Sequence, residues 1–506
     1  MNNFLAFQVN SIAAKRDRWS YLPALLFLLW AIPCAWLLNP TVDEMYSLQT
    51  ASQGPAYAAK QAISFELQAP AYFVVLSVWT KVLPGLMGAR GFSIFCLFLP
   101  LLLLPGLSKR YLPTVWPGYL PLLFATNPFV LHLAGDARSY AFLVCLTVGA
   151  LHFHLAAYQE GRYENRLGLA LVAALGLATH YYFGLFLAVL GGSWLLQKKW
   201  KHFLRFSVDM IPALGVLAWL APALQEQYLG HTGYHPAGDS IPLLLWAGKQ
   251  GEALLLQAHH WERLPGIPWL LRLLVAGWLG YLMWTQKDRI QQILFGAPLR
   301  HVSLLVLGMG GLYLGIGAVM GLHFLLLNKW FPFVVPLLLL LTAILSTHPR
   351  YVKTSVLVIS ACTLLGSGWH AIAGVKTYDY RQVIESIEAS AYSQRPILIY
   401  PNYEKLPLEM VSEGKHDLLA VLEDVDFSGA WGIPPNHLEA GKDWSLPPEI
   451  DSDSVESFWL VSWLEESNLG VPFFQDHLYE KIDCQFLVME EWEVAGTVQV
   501  QRWQRK

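Results

Sequence analysis

Charge is what this sequence has little of. Only 14% of its 506 residues are Asp, Glu, Lys or Arg, while 55% are hydrophobic; an ordinary soluble domain carries about 25% charged residues. That shortfall excludes a soluble enzyme of normal composition, and the apolar content excludes a disordered chain. Cysteine is scarce too. There are five, too few for a disulfide scaffold: Cys34, Cys96, Cys145 and Cys362 lie in apolar runs and read as packed thiols, and Cys484 stands alone in the tail. No Gly-rich phosphate loop occurs, so no nucleotide cofactor is expected. No serine nucleophile elbow and no solenoid repeat occur either. Basic patches interleaved with aromatics are missing, so nucleic acid is not an expected partner. What remains is a membrane protein.

Apolar runs are what the sequence has in abundance. A spanning helix needs about 20 mostly apolar residues. Candidates are 21–38, 91–107, 115–131, 139–157, 206–223, 267–284, 301–324, 330–347 and 353–370. Two further stretches are ambiguous: 69–84 is short, and 167–196 is long for one span and short for two. The expectation is an all-α polytopic membrane protein with about 11 transmembrane helices. Its membrane domain covers 21–370, after a short N-terminus at 1–20.

The net charge of −3 hides a division of the chain. Residues 371–506 hold 24 acids and 10 bases, a balance of −14, whereas residues 1–370 hold 13 acids and 24 bases, a balance of +11. The tail is therefore a separate, water-facing part. Its runs Pro396–Tyr400 and Ser457–Ser462 read as buried strands, and amphipathic or acidic stretches at 380–391 and 405–424 flank the first of them. A small α/β domain at 371–506 is the natural reading, with a long Pro/Gly/Asp-rich loop at 427–455.

The bases orient the spans. Lys15, Arg16 and Arg18 precede the first span and place the N-terminus in the cytoplasm. The stretches 198–205, 287–300 and 350–353 carry similar anchors, so the long loop 224–266 and the tail fall outside. A cleavable signal peptide is not expected. In one arrangement 69–84 spans and 167–196 is a single long helix. In the other, 69–84 lies in or dips into the outer leaflet, and 167–196 is two spans broken at Thr179–Tyr182. The second is preferred. It puts the paired bases Lys109/Arg110 and Arg162/Arg166 inside and gathers Asp43, Glu44, Glu66, Arg90, Asp136, Arg138 and His180 outside.

Against this apolar background the isolated polar residues are the candidates for chemistry. Asp43 and Glu44 follow the first span, in the outer loop 39–68. A carboxylate there can act as a general base, or Asp43 can cap a short helix whose dipole Glu44 favours. Glu66 precedes an apolar helix that has Pro70 in its first turn, and by itself reads as a loop residue. Asp136, Arg138 and Tyr140 sit where one span ends and another begins; an Arg there can hold a phosphate bidentately or simply anchor two helix ends. His180, followed by Tyr181, interrupts an apolar run, either for function or as a neutral imidazole bonding a carbonyl at a helix break. Lys329 is a lone cation between two apolar runs, suited to a lipid phosphate or to snorkelling. His259-His260-Trp261-Glu262 lacks spaced-ligand geometry, so no metal site is expected.

The order of these pieces resembles a known superfamily. It runs Asp43-Glu44, then Pro70-Ala71-Tyr72, Arg90, Ala137-Arg138-Ser139-Tyr140, Thr179-His180-Tyr181-Tyr182, and Asn328-Lys329-Trp330-Phe331 before a Pro-containing span. This pattern over residues 20–370 is similar to that of the GT-C membrane glycosyltransferases. It is nearest the bacterial branch of protein O-mannosyltransferases, lipid A aminoarabinose transferases and core galacturonosyltransferases. The resemblance implies an inverting transfer of a sugar from a polyprenyl-phosphate donor to a lipid, glycan or protein acceptor, on the outer face of the cytoplasmic membrane. It implies Asp43, with Glu44, as the catalytic acidic pair, and Arg138, Lys329 and Arg90 at the donor phosphate. A divalent cation is compatible with it. The chain departs from the family's usual Pro-Pro pair at 70–71 and has Lys329-Trp330 where Arg-Tyr is common. A transporter, or a non-catalytic envelope subunit with a binding ectodomain, is the alternative.

Overall fold

The computed structural model describes residues 19–64, 66, 68–231, 243–255, 267–296, 299–320, 327–373, 379–400, 404–420, 450, 455–463, 482, 486–494 and 498–506. Lys15, Arg16, Arg18, the His259–Glu262 cluster, Cys484 and almost all of the 427–455 loop lie outside them. The chain divides into two compact units. The first is built from residues 1–37, 68–222 and 240–372, the second from 38–67, 223–239 and 373–506.

The first unit is helical. It begins with α1 (Leu22–Leu37); the next helices in the chain, α2 (Val42–Ala51) and α3 (Pro55–Ser64), belong to the second unit. There follow α4 (Ala71–Trp79), α5 (Gly85–Tyr111), α6 (Tyr119–Ala125), α7 (Pro128–Ala134), α8 (Tyr140–Leu155), α9 (Tyr163–Thr179) and α10 (Tyr182–Leu196). Then come α11 (Trp200–Asp209), α12 (Ile211–His231), α13 (Leu243–Leu255), α14 (Ile267–Thr285), α15 (Lys287–Phe295), α16 (Arg300–Met320), α17 (Val334–Ser346) and α18 (Val352–Ala373). Among the described residues, six stretches are long and apolar enough to cross a membrane, and α11 with α12, bent by 51°, makes up to seven. This is a polytopic helical membrane unit.

The expected number of spans, 11, is not reached by length and composition among the described residues, for local reasons. The expected span 115–131 is two seven-residue helices, α6 and α7. Pro128 lacks an amide hydrogen and keeps Asn127 extended (φ −63°, ψ 127°). Asn127 then caps α7 by accepting from the Val130 amide at 3.1 Å, while its Nδ2 donates to the Leu254 carbonyl at 2.7 Å. Residues 69–84 form only the nine-residue α4, about 14 Å long and too short to span. The run 167–196 is broken at His180 and Tyr181, as preferred from its sequence. Three expected loops contain helices: α11 in 198–205, α15 in 287–300 and α13 in 224–266.

One face of α5 ties its neighbours together. Arg90 is buried, and its Nη1 donates to the Ala35 carbonyl at 2.6 Å, one of the last carbonyls of α1. Ser93, one turn on, donates to the Asp136 carbonyl at 2.7 Å. At the far ends of the helices lies a polar seam. Arg166 holds Asp209 through two nitrogens, the shorter contact being 2.6 Å, and Tyr158 donates to the same carboxylate at 2.7 Å. His301 bonds Ser193 at 3.1 Å and Gln197 at 2.8 Å, and its ring meets Trp194 edge-on at 4.1 Å.

The second unit joins α2 and α3 to a small α/β domain. That domain runs α19 (Tyr380–Glu388), β1 (Ile397–Tyr400), α20 (Lys405–Ser412), β2 (Leu418–Ala420), β3 (Ser457–Trp463), β4 (Phe486–Val494) and β5 (Val498–Arg505). The sheet order is β2-β1-β3-β5-β4. β1 pairs parallel with β2 and β3, and β5 pairs antiparallel with β3 and β4. On α19 the residues Tyr380, Val383, Ile384 and Ile387 recur at helical spacing and pack on Ile397, Ile399, Trp459 and Val461. β1 and β3 fall where the sequence places strands. The β4–β5 hairpin is an addition, though Val498-Gln-Val-Gln alternates with period two.

Candidate active site

The acidic loop folds as a capped helix. Thr41 is extended (φ −121°, ψ 157°) and its hydroxyl accepts from the Glu44 amide at 3.4 Å. Glu44 Oε2 reaches back to the Thr41 amide at 3.0 Å, closing a capping box. The cap is therefore Thr41, not Asp43, because in the pattern Thr-x-x-Glu the threonine reaches the third helical amide. Glu44 is fully buried and closes this box, whereas Asp43, at the second helical position, is exposed. Adjacent carboxylates thus have different surroundings: one fixes the helix and the other faces water.

The same unit places further acids around that helix. Glu66 is buried and accepts from the Thr50 hydroxyl at 3.1 Å. Asn39 Nδ2 donates to Asp379 Oδ1 at 3.3 Å, tying the start of the loop to the start of α19. Tyr46 has its phenol pushed up by burial and then by the charges of Glu404, Glu66 and Asp43. Glu404 is 1% exposed and accepts from the Tyr380 hydroxyl at 2.6 Å. Its carboxyl is raised to about 8, first by burial and also by Asp43; the Tyr380 bond opposes the rise. Neither Glu404 nor Tyr380 was marked out by sequence reasoning, since Glu404 is one of 24 acids in the tail with no motif around it.

In the helical unit a second group forms at the break between α9 and α10. His180 is extended (φ −162°, ψ 133°), and its Nδ1 accepts from the Tyr182 amide at 3.2 Å. The ring therefore bonds an amide, not the expected carbonyl, and with Nδ1 accepting, a neutral ring carries its proton on Nε2. The positive charges of Lys329 and Arg138 both bear on that ring. Tyr140 lies 6.0 Å and Tyr181 6.3 Å from it, centroid to centroid.

Lys329 sits in a 3-10 turn, Leu327–Phe333, and its Nζ lies 5.3 Å from the Tyr182 ring centre. The turn is pinned by aromatics. Tyr313 donates to the Lys329 carbonyl at 2.8 Å, Trp330 packs on Tyr313 at 5.2 Å, and Phe331 stacks on Phe183 at 6.3 Å. Arg138 and Asp136 are both buried in the turn between α7 and α8.

Of the residues expected at a site, the structure gathers Arg138, Tyr140, His180, Tyr181 and Lys329 in one unit, and Asp43, Glu44 and Glu66 in the other. Arg90, expected at the donor phosphate, lies buried within the helical packing and has one nitrogen on the Ala35 carbonyl. Tyr182 and Tyr313 are additions. Tyr182 stands inside the Thr179–Tyr182 motif, and Tyr313 is a lone phenol in a Gly- and Leu-rich span, a signal that was available. Among the described residues, no group of three His, Cys, Asp or Glu side chains is placed to hold a metal ion.

No protein-family model matches the chain, nor does its sequence match a curated protein. The chain is similar, at low identity, to several solved structures. One is ArnT from Cupriavidus metallidurans bound to undecaprenyl phosphate, with 11% identity and a TM-score of 0.48 over 96% of this chain and 98% of that one. Its apo form gives 12% and 0.43 over 94% and 97%. The oligosaccharyltransferase AglB from Archaeoglobus fulgidus, in complex with an inhibitory peptide and a dolichol-phosphate, gives 12% and 0.42 over 95% of this chain and 74% of that one.

Proposed function

We propose that this chain is an integral membrane glycosyltransferase that moves a sugar from a polyprenyl-phosphate donor to a lipid, glycan or protein acceptor. The observation that carries the reading is the group around His180. Two cations act on one neutral imidazole, within a frame of tyrosines and phenylalanines. That environment suits an anion attached to an apolar chain: Arg138 and Lys329 take the phosphate, and the rings take the isoprenoid. Charge grows on this phosphate as its bond to the sugar breaks, so fixed cations stabilise the transition state more than the bound donor.

Asp43 supplies the other half of the chemistry. It is exposed, on a helix whose position Thr41 and Glu44 fix. As general base it takes the proton of the acceptor hydroxyl, the oxygen attacks the anomeric carbon, and the polyprenyl phosphate leaves. One displacement inverts that carbon. The reaction belongs on the outer face of the cytoplasmic membrane, with the N-terminus inside and the acidic domain outside. The test is D43N, reconstituted in vesicles with a panel of undecaprenyl-phosphate-linked hexoses and pentoses and membrane lipid extract as acceptor. Release of undecaprenyl phosphate falls by roughly 10²–10⁴-fold, with insertion unchanged. Wild-type release by a properly inserted D43N sinks the assignment.

A further inference from the structure

We infer that Glu404, carried by the C-terminal domain, is a positioning residue for Asp43: a buried carboxyl, oriented by Tyr380, at the start of a helix that packs on the helix bearing Asp43. The inference rests on the reading of Asp43 as base and gives the acidic domain a part in the reaction.

Three observations converge on it, all within one compact unit. First, α20 packs against α2, the helix that bears Asp43. Second, Glu404 is the residue that caps α20, yet its side chain makes no capping bond. A glutamate at a helix start would ordinarily serve the amides or the dipole there. This one is turned away to Tyr380 Oη at 2.6 Å and is 1% exposed. Third, the charges felt there are those of the acidic loop. Asp43 acts on Glu404, and Glu404, Glu66 and Asp43 all act on Tyr46. Asp379 and Tyr380, at the start of α19, and Lys405, beside Glu404 and 3.7 Å from Glu409, complete its charged surroundings.

The chemistry follows from the charge state. Burial keeps Glu404 protonated through neutral pH. Asp43 then has an uncharged neighbour in place of a second carboxylate. Above about pH 8 Glu404 ionises. A negative charge then appears on a buried side chain within reach of the charge of Asp43, and the packing of α20 on α2 is disturbed. Transfer should therefore fall at alkaline pH through a group that touches no substrate.

The experiment compares pH profiles from 5.5 to 9.5 for wild type, E404Q and Y380F, in vesicles with the undecaprenyl-phosphate sugar panel. E404Q keeps the shape and cannot ionise; it retains transfer at pH 7 and loses the fall linked to Glu404. Y380F removes a bond that favours the ionised form, so its fall moves to higher pH. Profiles for both variants that superimpose on wild type overturn the inference. A parallel readout needs no activity: the pH dependence of thermal unfolding of the acidic unit. D43N removes the charge that raises Glu404, so the midpoint moves to lower pH in that variant. No movement overturns the coupling. If D43N retains transfer but moves the midpoint, the base assignment fails while the coupling stands.

Discussion

The two adjacent carboxylates of the first loop make a sharp prediction, because the structure gives them opposite surroundings. Replacing Glu44 with Ala removes the acceptor of the Thr41 amide at 3.0 Å and of the Thr41 hydroxyl at 3.3 Å. A lost cap costs about 0.5–2 kcal/mol, and a buried donor left unpaired costs about 1–3 kcal/mol. Glu44 is fully buried, so water does not replace it, and about 2 kcal/mol is a fair total. At about 1.4 kcal/mol per tenfold, local opening of α2 becomes roughly 30-fold more frequent. Hydrogen exchange measured by mass spectrometry on peptides covering 42–51 should accelerate by that factor in E44A and return towards wild type in E44Q, since Gln can also close the box. Asp43 is exposed, so D43N disturbs only a charge–dipole interaction of about 0.5 kcal/mol, roughly a twofold change in exchange. Transfer reverses the order. D43N loses roughly 10²–10⁴-fold, while E44A keeps most activity, because a helix open a small fraction of the time is still present in most molecules. If E44A abolishes transfer without faster exchange, or D43N speeds exchange as much as E44A, the division of labour is wrong.

The remaining predictions concern charge. Glu404 is raised from the ordinary 4.5 to about 8, so the folded unit holds a proton that the unfolded chain releases. Its contribution is favourable below pH 4.5 and is lost as pH rises towards 8. At pH 7 the loss is about 3 kcal/mol, so E404Q should unfold at higher temperature than wild type at pH 7 and at nearly the same temperature at pH 4.5. K329A should weaken donor use by 10-fold or more while K329R restores much of it, because Arg at this position keeps the charge and adds a bidentate fork; the readout is undecaprenyl phosphate release at varied donor concentration. D209N should lower the unfolding temperature in detergent more than Y158F does. It removes the charge paired with Arg166 at 2.6 Å, a partly buried pair whose breaking costs about 2–4 kcal/mol, against about 1 kcal/mol for one hydroxyl bond. A reporter fused after Asp136 should give an extracytoplasmic signal; a cytoplasmic signal would remove Arg138 from an outer-face site.

What was legible in the sequence, and what was not, follows from the range of the forces involved. Long apolar runs and the strands at 397–400 and 457–463 are set by local pattern, and they appear where the pattern puts them. The break at Thr179–Tyr182 was legible because a polar group in an apolar run must find a partner, and His180 finds one in the Tyr182 amide. The broken span at Asn127-Pro128 was legible in principle, since a residue before proline avoids the helical region. The apolar count alone suggests continuity there. The capping box is also present in the sequence, as Thr41 and Glu44 three apart, but the adjacent Asp43 is an equally good capping type.

Glu404 is a different case. No pattern in the sequence separates it from the other acids of the tail, and nothing local determines its state. Its protonation depends on the sheet domain excluding water from it, on Tyr380 entering from another helix, and on Asp43 approaching from a segment more than 350 residues earlier in the chain. Each contribution arises only on folding. Burial raises the carboxyl, Asp43 raises it further, and the tyrosine bond holds it back. A carboxyl poised between these effects responds to small changes in any of them. With Asp43 as the proposed base, the acidic domain need not touch a substrate to govern the rate: it is enough that it keeps one buried proton on Glu404. That is also why deleting the domain is a poor test of its role, since it removes support for α2 together with the proton. Point changes at Glu404 and Tyr380, read against pH, separate the two.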